Sequence, residues 1–177
     1  PDFLVCCNNI CGTVMKWYEV AARYYEVPMF MLDTPFTHRD FPPAAKQYVI
    51  DQIYEYIAFL EEQCGHKMDY DRMQEVGRLA VEGLRLWQEV LDSAAHKPAP
   101  MTAFDAFFHL ALIVTLRGTQ EAVDYYRQLR DEMQERIKAG IAMVPNEKYR
   151  LLWDNLPVWY RTKWLSEKFA SHDACLV

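Results

Sequence analysis

The sequence predicts an α/β fold in which two parallel-sheet units are separated by a helical block. Short apolar runs alternate with helix-length segments at both ends of the chain, and apolar residues in the middle recur every three or four positions. The predicted boundaries are residues 1–43 for the end of the first α/β unit, 44–140 for the helical block and 141–177 for the start of the second α/β unit. With 177 residues, 51% of them hydrophobic, the chain has enough apolar material for a sizeable core.

The first unit is predicted to contain a strand, a helix and a second strand. Phe3-Leu-Val-Cys-Cys7 is a short apolar run of the kind that forms a buried parallel strand. A helix is predicted over residues 12–26, where apolar residues recur at helical spacing, and a second strand over residues 28–32. The helix is long enough to make the right-handed crossover between two parallel strands.

The helical block is predicted to contain four helices, each with a recognisable start or end. Gly65 ends the first helix, and Asp69 precedes the second as an N-cap. Thr102 followed by Asp105 predicts a capping box at the start of the third, and Thr119 caps the fourth. The third helix is very apolar and is expected to be buried. The expected inward residues of the fourth are Val123, Tyr126, Leu129, Met133 and Ile137.

The strand–helix rhythm returns after the helical block. Tyr149-Arg-Leu-Leu-Trp153 is predicted to be a strand, residues 158–171 a helix, and Ala174-Cys-Leu-Val177 the next strand. The chain starts at Pro1 and both of its ends fall within predicted strands. We therefore expect it to be an internal piece of a longer subunit.

Composition and charge argue against several classes of protein. The net charge is −6 and Lys and Arg form no block, so we expect no nucleic-acid partner. No apolar run reaches the roughly 18 residues of a membrane-spanning helix, so no membrane segment is expected either. The five cysteines are odd in number, unlike those of a secreted disulfide scaffold, and they favour a reducing, cytoplasmic setting.

Cys11 is the strongest candidate for a functional side chain. It lies between the first strand and the first helix, at the edge of a parallel sheet where ligands usually bind. The free N–H groups of a helix N-terminus favour anions, including thiolates and the clusters that thiolates hold. The alternative is that Cys11 is a half-buried structural cysteine. The remaining cysteines are predicted to be structural: Cys6, Cys7, Cys64 and Cys175.

Other polar residues are weaker candidates. The loop segment His38-Arg39-Asp40 would suit an anion such as a CoA phosphate, although a solvated loop is the simpler interpretation. His109, within the apolar third helix, is predicted to be a satisfied core histidine rather than a ligand. Asn8 and Asn9 are candidates to cap the first helix.

One long stretch of the sequence resembles a known motif. Asp2-Phe-Leu-Val-Cys-Cys-Asn-Asn-Ile-Cys11-Gly-Thr-Val-Met-Lys-Trp-Tyr-Glu19 is similar to the second-cysteine motif of the 2-hydroxyacyl-CoA dehydratase / benzoyl-CoA reductase subunit family, of the 2-hydroxyglutaryl-CoA dehydratase D-component type. The order of later segments is similar too: Val27-Pro-Met-Phe-Met-Leu-Asp-Thr-Pro35, a helical insertion, and Tyr149-Arg-Leu-Leu-Trp-Asp-Asn-Leu-Pro157. The likeness extends over essentially the whole chain.

The resemblance implies a heterodimer with a homologous partner subunit, each subunit holding a [4Fe–4S] cluster through three widely separated cysteines. Cys11 matches the middle cysteine and is the one cluster-binding residue assigned here. The first and third ligands would lie before Pro1 and after Val177, in agreement with an internal piece. The substrate-contacting residues of the family lie mostly upstream of Pro1, so catalytic residues are left unassigned.

The resemblance also implies a reaction. An activator protein with its own iron–sulfur cluster hydrolyses ATP and supplies one electron. The electron reaches the thioester carbonyl of a 2-hydroxyacyl-CoA, and the resulting ketyl radical anion expels the hydroxyl group. This acidifies the β-proton, and after loss of that proton and return of the electron an enoyl-CoA forms. Two alternatives stay open within this resemblance: ATP-dependent reduction of benzoyl-CoA by the same type of subunit, and a non-catalytic subunit that serves as scaffold or electron relay. The α/β layout alone would also allow a flavodoxin-like nucleotide module, although the sequence has no phosphate-binding loop.

Overall fold

The computed structural model of the chain describes residues 1–9, 11–37, 41–154 and 156–177. The chain divides into two compact units, Pro1–Asp69 and Tyr70–Val177. The sequence prediction divides the chain after residues 43 and 140, where the type of secondary structure changes. The two compact units are instead defined by which residues contact one another. The first helix of the predicted helical block therefore belongs to the same unit as the first sheet.

The first unit contains a strand–helix–strand crossover followed by a long helix. Its elements are β1 (Leu4–Cys7), α1 (Gly12–Tyr25), β2 (Met29–Leu32) and α2 (Pro43–Cys64). The two strands are parallel, with Leu4 opposite Met29 and Cys7 opposite Leu32. The predicted α/β crossover is confirmed, with α1 one residue shorter than expected because Glu26 adopts a left-handed conformation at its end.

Aromatic side chains join the first sheet to α2. The ring of Phe30 on β2 lies 5.3 Å from that of Tyr56 and 5.5 Å from that of Phe59, and Phe3 approaches Phe59 edge-on at 5.7 Å. Aromatic pairs at these separations each contribute about 0.5–1.5 kcal/mol beyond the area that they bury. The sheet and α2 therefore hold each other in place through a small aromatic cluster.

Helix α1 is only partly buried. None of its residues is fully buried, and Trp17 is 66% exposed. Among the described residues the sheet has two strands, which offer too little surface to cover one whole face of a helix.

The second unit combines three long helices with a second small sheet. Its elements are α3 (Tyr70–Asp92), a 3₁₀ turn (Ser93–Ala95), α4 (Ala103–Thr115), α5 (Gln120–Ala139), β3 (Tyr149–Leu151), a 3₁₀ turn (Trp159–Arg161), α6 (Thr162–Ala170) and β4 (Ala174–Leu176). Strands β3 and β4 are parallel, with Tyr149 opposite Ala174. The second strand–helix–strand unit is therefore confirmed, and its helix begins with a 3₁₀ turn.

The main core of the second unit lies among α3, α4 and α5. Its buried residues are Leu79, Leu86, Trp87, Val90, Met101, Ile113, Val123, Tyr126, Leu129 and Met133. The inward face predicted for α5 is confirmed, with Ile137 half-buried at its end. The hydroxyl of Tyr126 donates to the carbonyl of His109 at 2.7 Å and accepts from the N–H of Ile113 at 2.8 Å, so this buried phenol is fully hydrogen-bonded.

Two of the predicted helix starts, those of α4 and α5, are confirmed. The backbone N–H of Thr102 donates to Oδ2 of Asp105 at 2.8 Å, as a capping box requires. The backbone N–H of Ala122 donates to Oγ1 of Thr119 at 3.3 Å. Local sequence therefore sets the start of α4 and of α5 before any packing is considered.

The expectation that the apolar helix α4 is buried is wrong for much of its length. Phe104 and Ile113 are buried, but Phe108 is 62% and Val114 70% exposed. Only one face of α4 packs on the core, because its residues are apolar on all sides while its neighbours in the unit cover one side. The high mean hydropathy of a helix indicates how much free energy the burial of its side chains would contribute. Which face is buried depends on the neighbouring elements that contact it.

Gly118 follows α4 in a conformation that other residues avoid, with φ at +85°. A Cβ atom there would lie 2.5 Å from Cγ1 and 3.2 Å from the carbonyl oxygen of Val76. We expect Gly118→Ala to lower the free energy of unfolding by about 2–4 kcal/mol, since left-handed strain adds to overpacking. Urea unfolding followed by circular dichroism measures this.

Gly77 is the matched control for that substitution. It lies within α3, beside Val76 in sequence, and a Cβ there meets nothing within 4 Å. We expect Gly77→Ala to stabilise the chain by about 0.5–1 kcal/mol through helix propensity alone. Equal effects of the two substitutions would contradict the clash with Val76.

Candidate functional site

Cys11 lies at the carboxyl edge of the first sheet, at the start of α1. It is the N-cap residue, in extended conformation (φ −68°, ψ 146°), and its carbonyl accepts from the N–H of Val14 at 3.0 Å. Its side chain is exposed and caps no backbone group. The residue thus stands at the position expected from sequence, with its sulfur accessible rather than packed in the core.

The turn that carries Cys11 is tied to the end of β2. The backbone N–H of Asn8 donates to the carbonyl of Leu32 at 3.1 Å, one position beyond the strand pair. Oδ1 of Asn8 accepts from the backbone N–H of Thr34 at 2.9 Å and from its hydroxyl at 3.0 Å, and Nδ2 donates to Oδ1 of Asp33. Asn8 therefore bridges the two strand ends instead of capping α1, contrary to one sequence interpretation.

Asp33 extends this network to α2. Its Oδ2 accepts from the hydroxyl of Tyr48 at 2.5 Å, and its backbone N–H donates to Oε1 of Gln52 at 3.2 Å. The hydrogen bond to Asp33 is the main cause that raises the pKa of Tyr48 above its ordinary value. Sequence reasoning missed this role, although both Asn8 and Asp33 directly follow paired parallel strands, whose carboxyl ends meet at one edge.

The other cysteines differ in their surroundings. Cys6 and Cys175 are buried and Cys7 is half-buried, as expected for structural residues, whereas Cys64 at the end of α2 is exposed. Burial raises the pKa of the Cys175 thiol to about 11, which keeps it protonated and unreactive.

The donor set suits a single thiolate ligand rather than a complete metal site. Among residues 1–9, 11–37, 41–154 and 156–177, no group of three or more His, Cys, Asp or Glu side chains could hold a metal ion. Cys11 nevertheless offers an exposed sulfur next to the first-turn N–H groups of a 14-residue helix. Thiolates are the ligands of iron–sulfur clusters, so the Cys11 side chain has the chemistry of a single cluster ligand.

The weaker candidates are now placed, where the structure describes them. Nδ1 of His109 lies 2.6 Å from the hydroxyl of Tyr125, so this half-buried ring has a hydrogen-bond partner within the protein, as predicted. The segment 38–40 lies outside the described residues. No helix in the described part of the chain is both long and apolar enough to cross a bilayer.

Comparison with known proteins identifies the family. The model of the family described as "2-hydroxyglutaryl-CoA dehydratase, D-component" matches residues 1–177. The chain is 37% identical over 161 residues to the (R)-phenyllactyl-CoA dehydratase alpha subunit of Clostridium sporogenes, covering 90% of this chain and 40% of that protein. It is 36% identical over 174 residues to the (R)-2-hydroxyisocaproyl-CoA dehydratase alpha subunit of Clostridioides difficile, covering 94% and 43%.

A further relative carries a different activity in its name. The chain is 33% identical over 178 residues to a subunit of the benzoyl-CoA reductase of Thauera aromatica, covering 93% of this chain and 41% of that protein. The 177 residues thus span about two fifths of the length of these relatives. Since the family model matches from the first residue to the last, the chain belongs to the 2-hydroxyglutaryl-CoA dehydratase D-component family.

Proposed function

We propose that this chain is part of a subunit of a 2-hydroxyacyl-CoA dehydratase, in which Cys11 is one thiolate ligand of a [4Fe–4S] cluster. The observation that carries the proposal is the exposed thiol at a helix N-cap and sheet edge, in a chain of this family. The reaction is the radical elimination of water from a 2-hydroxyacyl-CoA to give an enoyl-CoA.

The residues of this chain supply one part of the proposed cluster site. The Cys11 thiolate would bind iron at the N-terminal end of α1, where free N–H groups and the helix dipole favour negative charge. When bound, the cluster would supply one-electron chemistry at low potential. The other ligands and the groups that bind the substrate come from segments outside these 177 residues, consistent with relatives more than twice as long.

Two partners follow from the proposal. A homologous subunit completes a heterodimer, and an ATP-dependent iron–sulfur activator protein delivers the electron. Three of the relatives are each named as one subunit of an enzyme, which supports an assembly of several subunits. A reducing, anaerobic cytoplasm suits a cluster of this kind. Residues 1–43 and 141–177 would then be pieces of the two α/β units that flank the helical block of the complete subunit.

A second candidate is ATP-dependent reduction of benzoyl-CoA, favoured by the 33% identity to the benzoyl-CoA reductase relative. The two reactions differ in electron balance. Dehydration returns its electron after each turnover, whereas reduction consumes electrons in proportion to the product formed. A third candidate is a non-catalytic subunit that serves as a scaffold or electron relay. It would have the same fold but would not require Cys11 as a cluster ligand.

The test uses the full-length subunit, prepared without oxygen together with its partner and activator. Iron and sulfide are measured first, and 2-hydroxyacyl-CoA substrates are then supplied with ATP and a limiting amount of reductant. We expect bound iron and sulfide, and many enoyl-CoA molecules formed per electron supplied. Product that stays proportional to the electrons consumed would favour the reductase, and a protein free of iron would refute the proposal.

A further inference from the structure

We propose that Asn8 is a positioning residue that fixes the turn carrying Cys11, so that the thiol is presented in one orientation to the cluster. This inference rests on the function proposed above and adds a role that the cysteine motif alone does not contain. The observation behind it is that the amide nitrogen and the amide oxygen of Asn8 both form hydrogen bonds across the sheet edge, to Asp33 and Thr34 respectively.

Asn8 and Cys11 are close neighbours along the chain. Cys11 follows Asn8 by three positions, so their Cα atoms lie no more than about 10 Å apart. On its other side Cys11 is the N-cap of α1, and its carbonyl accepts from the N–H groups of Val14 and Met15. The bonds of Asn8 and the start of α1 therefore hold the backbone on the two sides of Cys11, from which its sulfur projects.

The anchor of Asn8 is itself held firmly. Asp33 accepts from Tyr48 and donates a second bond to Gln52 through its backbone N–H, and both partners belong to α2. The turn is thereby connected to β1, to the end of β2 and to α2 within one compact unit. Contacts behind a ligand of this kind orient it, and replacing them typically costs 10–100-fold in metal affinity or activity.

Only an amide satisfies the partners of Asn8. Its Nδ2 donates to a carboxylate, while its Oδ1 accepts from the N–H and hydroxyl of Thr34. An aspartate at position 8 could still accept from Thr34 but would place a second carboxylate against Asp33, which is repulsive. Asn8→Asp is therefore the sharpest substitution, and Asn8→Ala removes the same bonds without adding charge.

Asn9 provides the matched control in the same turn. It is exposed, and its side chain has no hydrogen bond to any residue that the structure describes. Asn9→Asp makes the same chemical change and adds the same charge one residue closer to Cys11. A difference between the two variants therefore reports the bonds of Asn8 rather than a general effect of negative charge.

The experiment uses the oxygen-protected, full-length protein. We expect iron to be lost to a ferrous chelator about 10–100-fold faster from Asn8→Asp than from the wild type, with a changed electron paramagnetic resonance spectrum of the reduced cluster. Asn8→Ala should act in the same direction and Asn9→Asp should match the wild type. Wild-type release rates and spectra in both Asn8 variants would overturn the proposal.

A second measurement does not require bound iron, so it tests the role of Asn8 independently of the proposed function. Amide hydrogen exchange of residues 8–14 in metal-free protein should be about tenfold faster in the Asn8 variants, with α5 unchanged as the control for folding. A wild-type protein without iron would refute the proposed function, and exchange would still decide whether Asn8 anchors the turn. Unaltered exchange over residues 8–14 would refute the anchoring role.

Discussion

Replacement of Cys11 by alanine is expected to abolish turnover of the full-length enzyme, with a loss larger than the 10–100-fold typical of residues that only support a ligand. The sulfur at position 11 is exposed and caps nothing, so its loss should leave the fold of the chain intact. The effect arises because one cluster ligand disappears. Iron content, the spectrum of the reduced cluster and enoyl-CoA formation measure it together.

Cys64 is the control for that experiment. It is also an exposed cysteine of the first unit, at the end of α2, and we assign it no role. Cys64→Ala should keep the iron content and turnover of the wild type. Unchanged iron and turnover in Cys11→Ala would instead favour the scaffold interpretation, in which the chain shapes the assembly without holding the cluster through this residue.

Replacement of Tyr126 by alanine should lower the free energy of unfolding by about 3–5 kcal/mol, the usual cost of deleting a buried aromatic ring. The side chain is fully buried, and its ring lies 5.2 Å from that of Trp87 and 5.4 Å from that of Tyr125. Its hydroxyl bridges His109 and Ile113, which are the two partners of one helical hydrogen bond. The substitution therefore removes ring contacts and a link between α5 and α4.

Two phenylalanine variants separate these contributions. Tyr126→Phe keeps the ring and removes only the hydroxyl bridge, so it should cost about 1–3 kcal/mol. Tyr125 is half-buried, and its hydroxyl contacts His109. Tyr125→Phe should therefore lower the free energy of unfolding by less than Tyr126→Phe does. Urea unfolding curves give all three values. An alanine variant as stable as the phenylalanine variant would show that the ring contributes little and would contradict the packing argument.

The elements of this chain could be predicted from sequence where local chemistry decides them. The strand–helix–strand units follow from short apolar runs beside helical periodicity. The starts of α4 and α5 follow from Thr102 with Asp105 and from Thr119, because a cap is a bond between near neighbours in sequence. The inward face of α5 follows from its apolar residues, which recur every three or four positions.

Burial and side-chain networks could not be predicted in the same way. The exposure of Trp17 on α1 and of Phe108 on α4 depends on which neighbours are present to cover a face. The bridge from Asn8 to Asp33 joins residues 25 apart in sequence, and only the pairing of the two strands that they follow brings them together. Sequence reasoning therefore favours helix capping for Asn8, the commonest local role of such a residue.

For the site, the order of elements along the chain was enough to place a cysteine between a parallel strand and a helix. Three further features needed the folded chain: the exposure of the sulfur, the tie from Asn8 to the end of β2, and the support of that tie by Tyr48 and Gln52 of α2. Backbone preferences act over a few residues, whereas accessibility and hydrogen-bond partners depend on segments that are distant in sequence and meet only on folding.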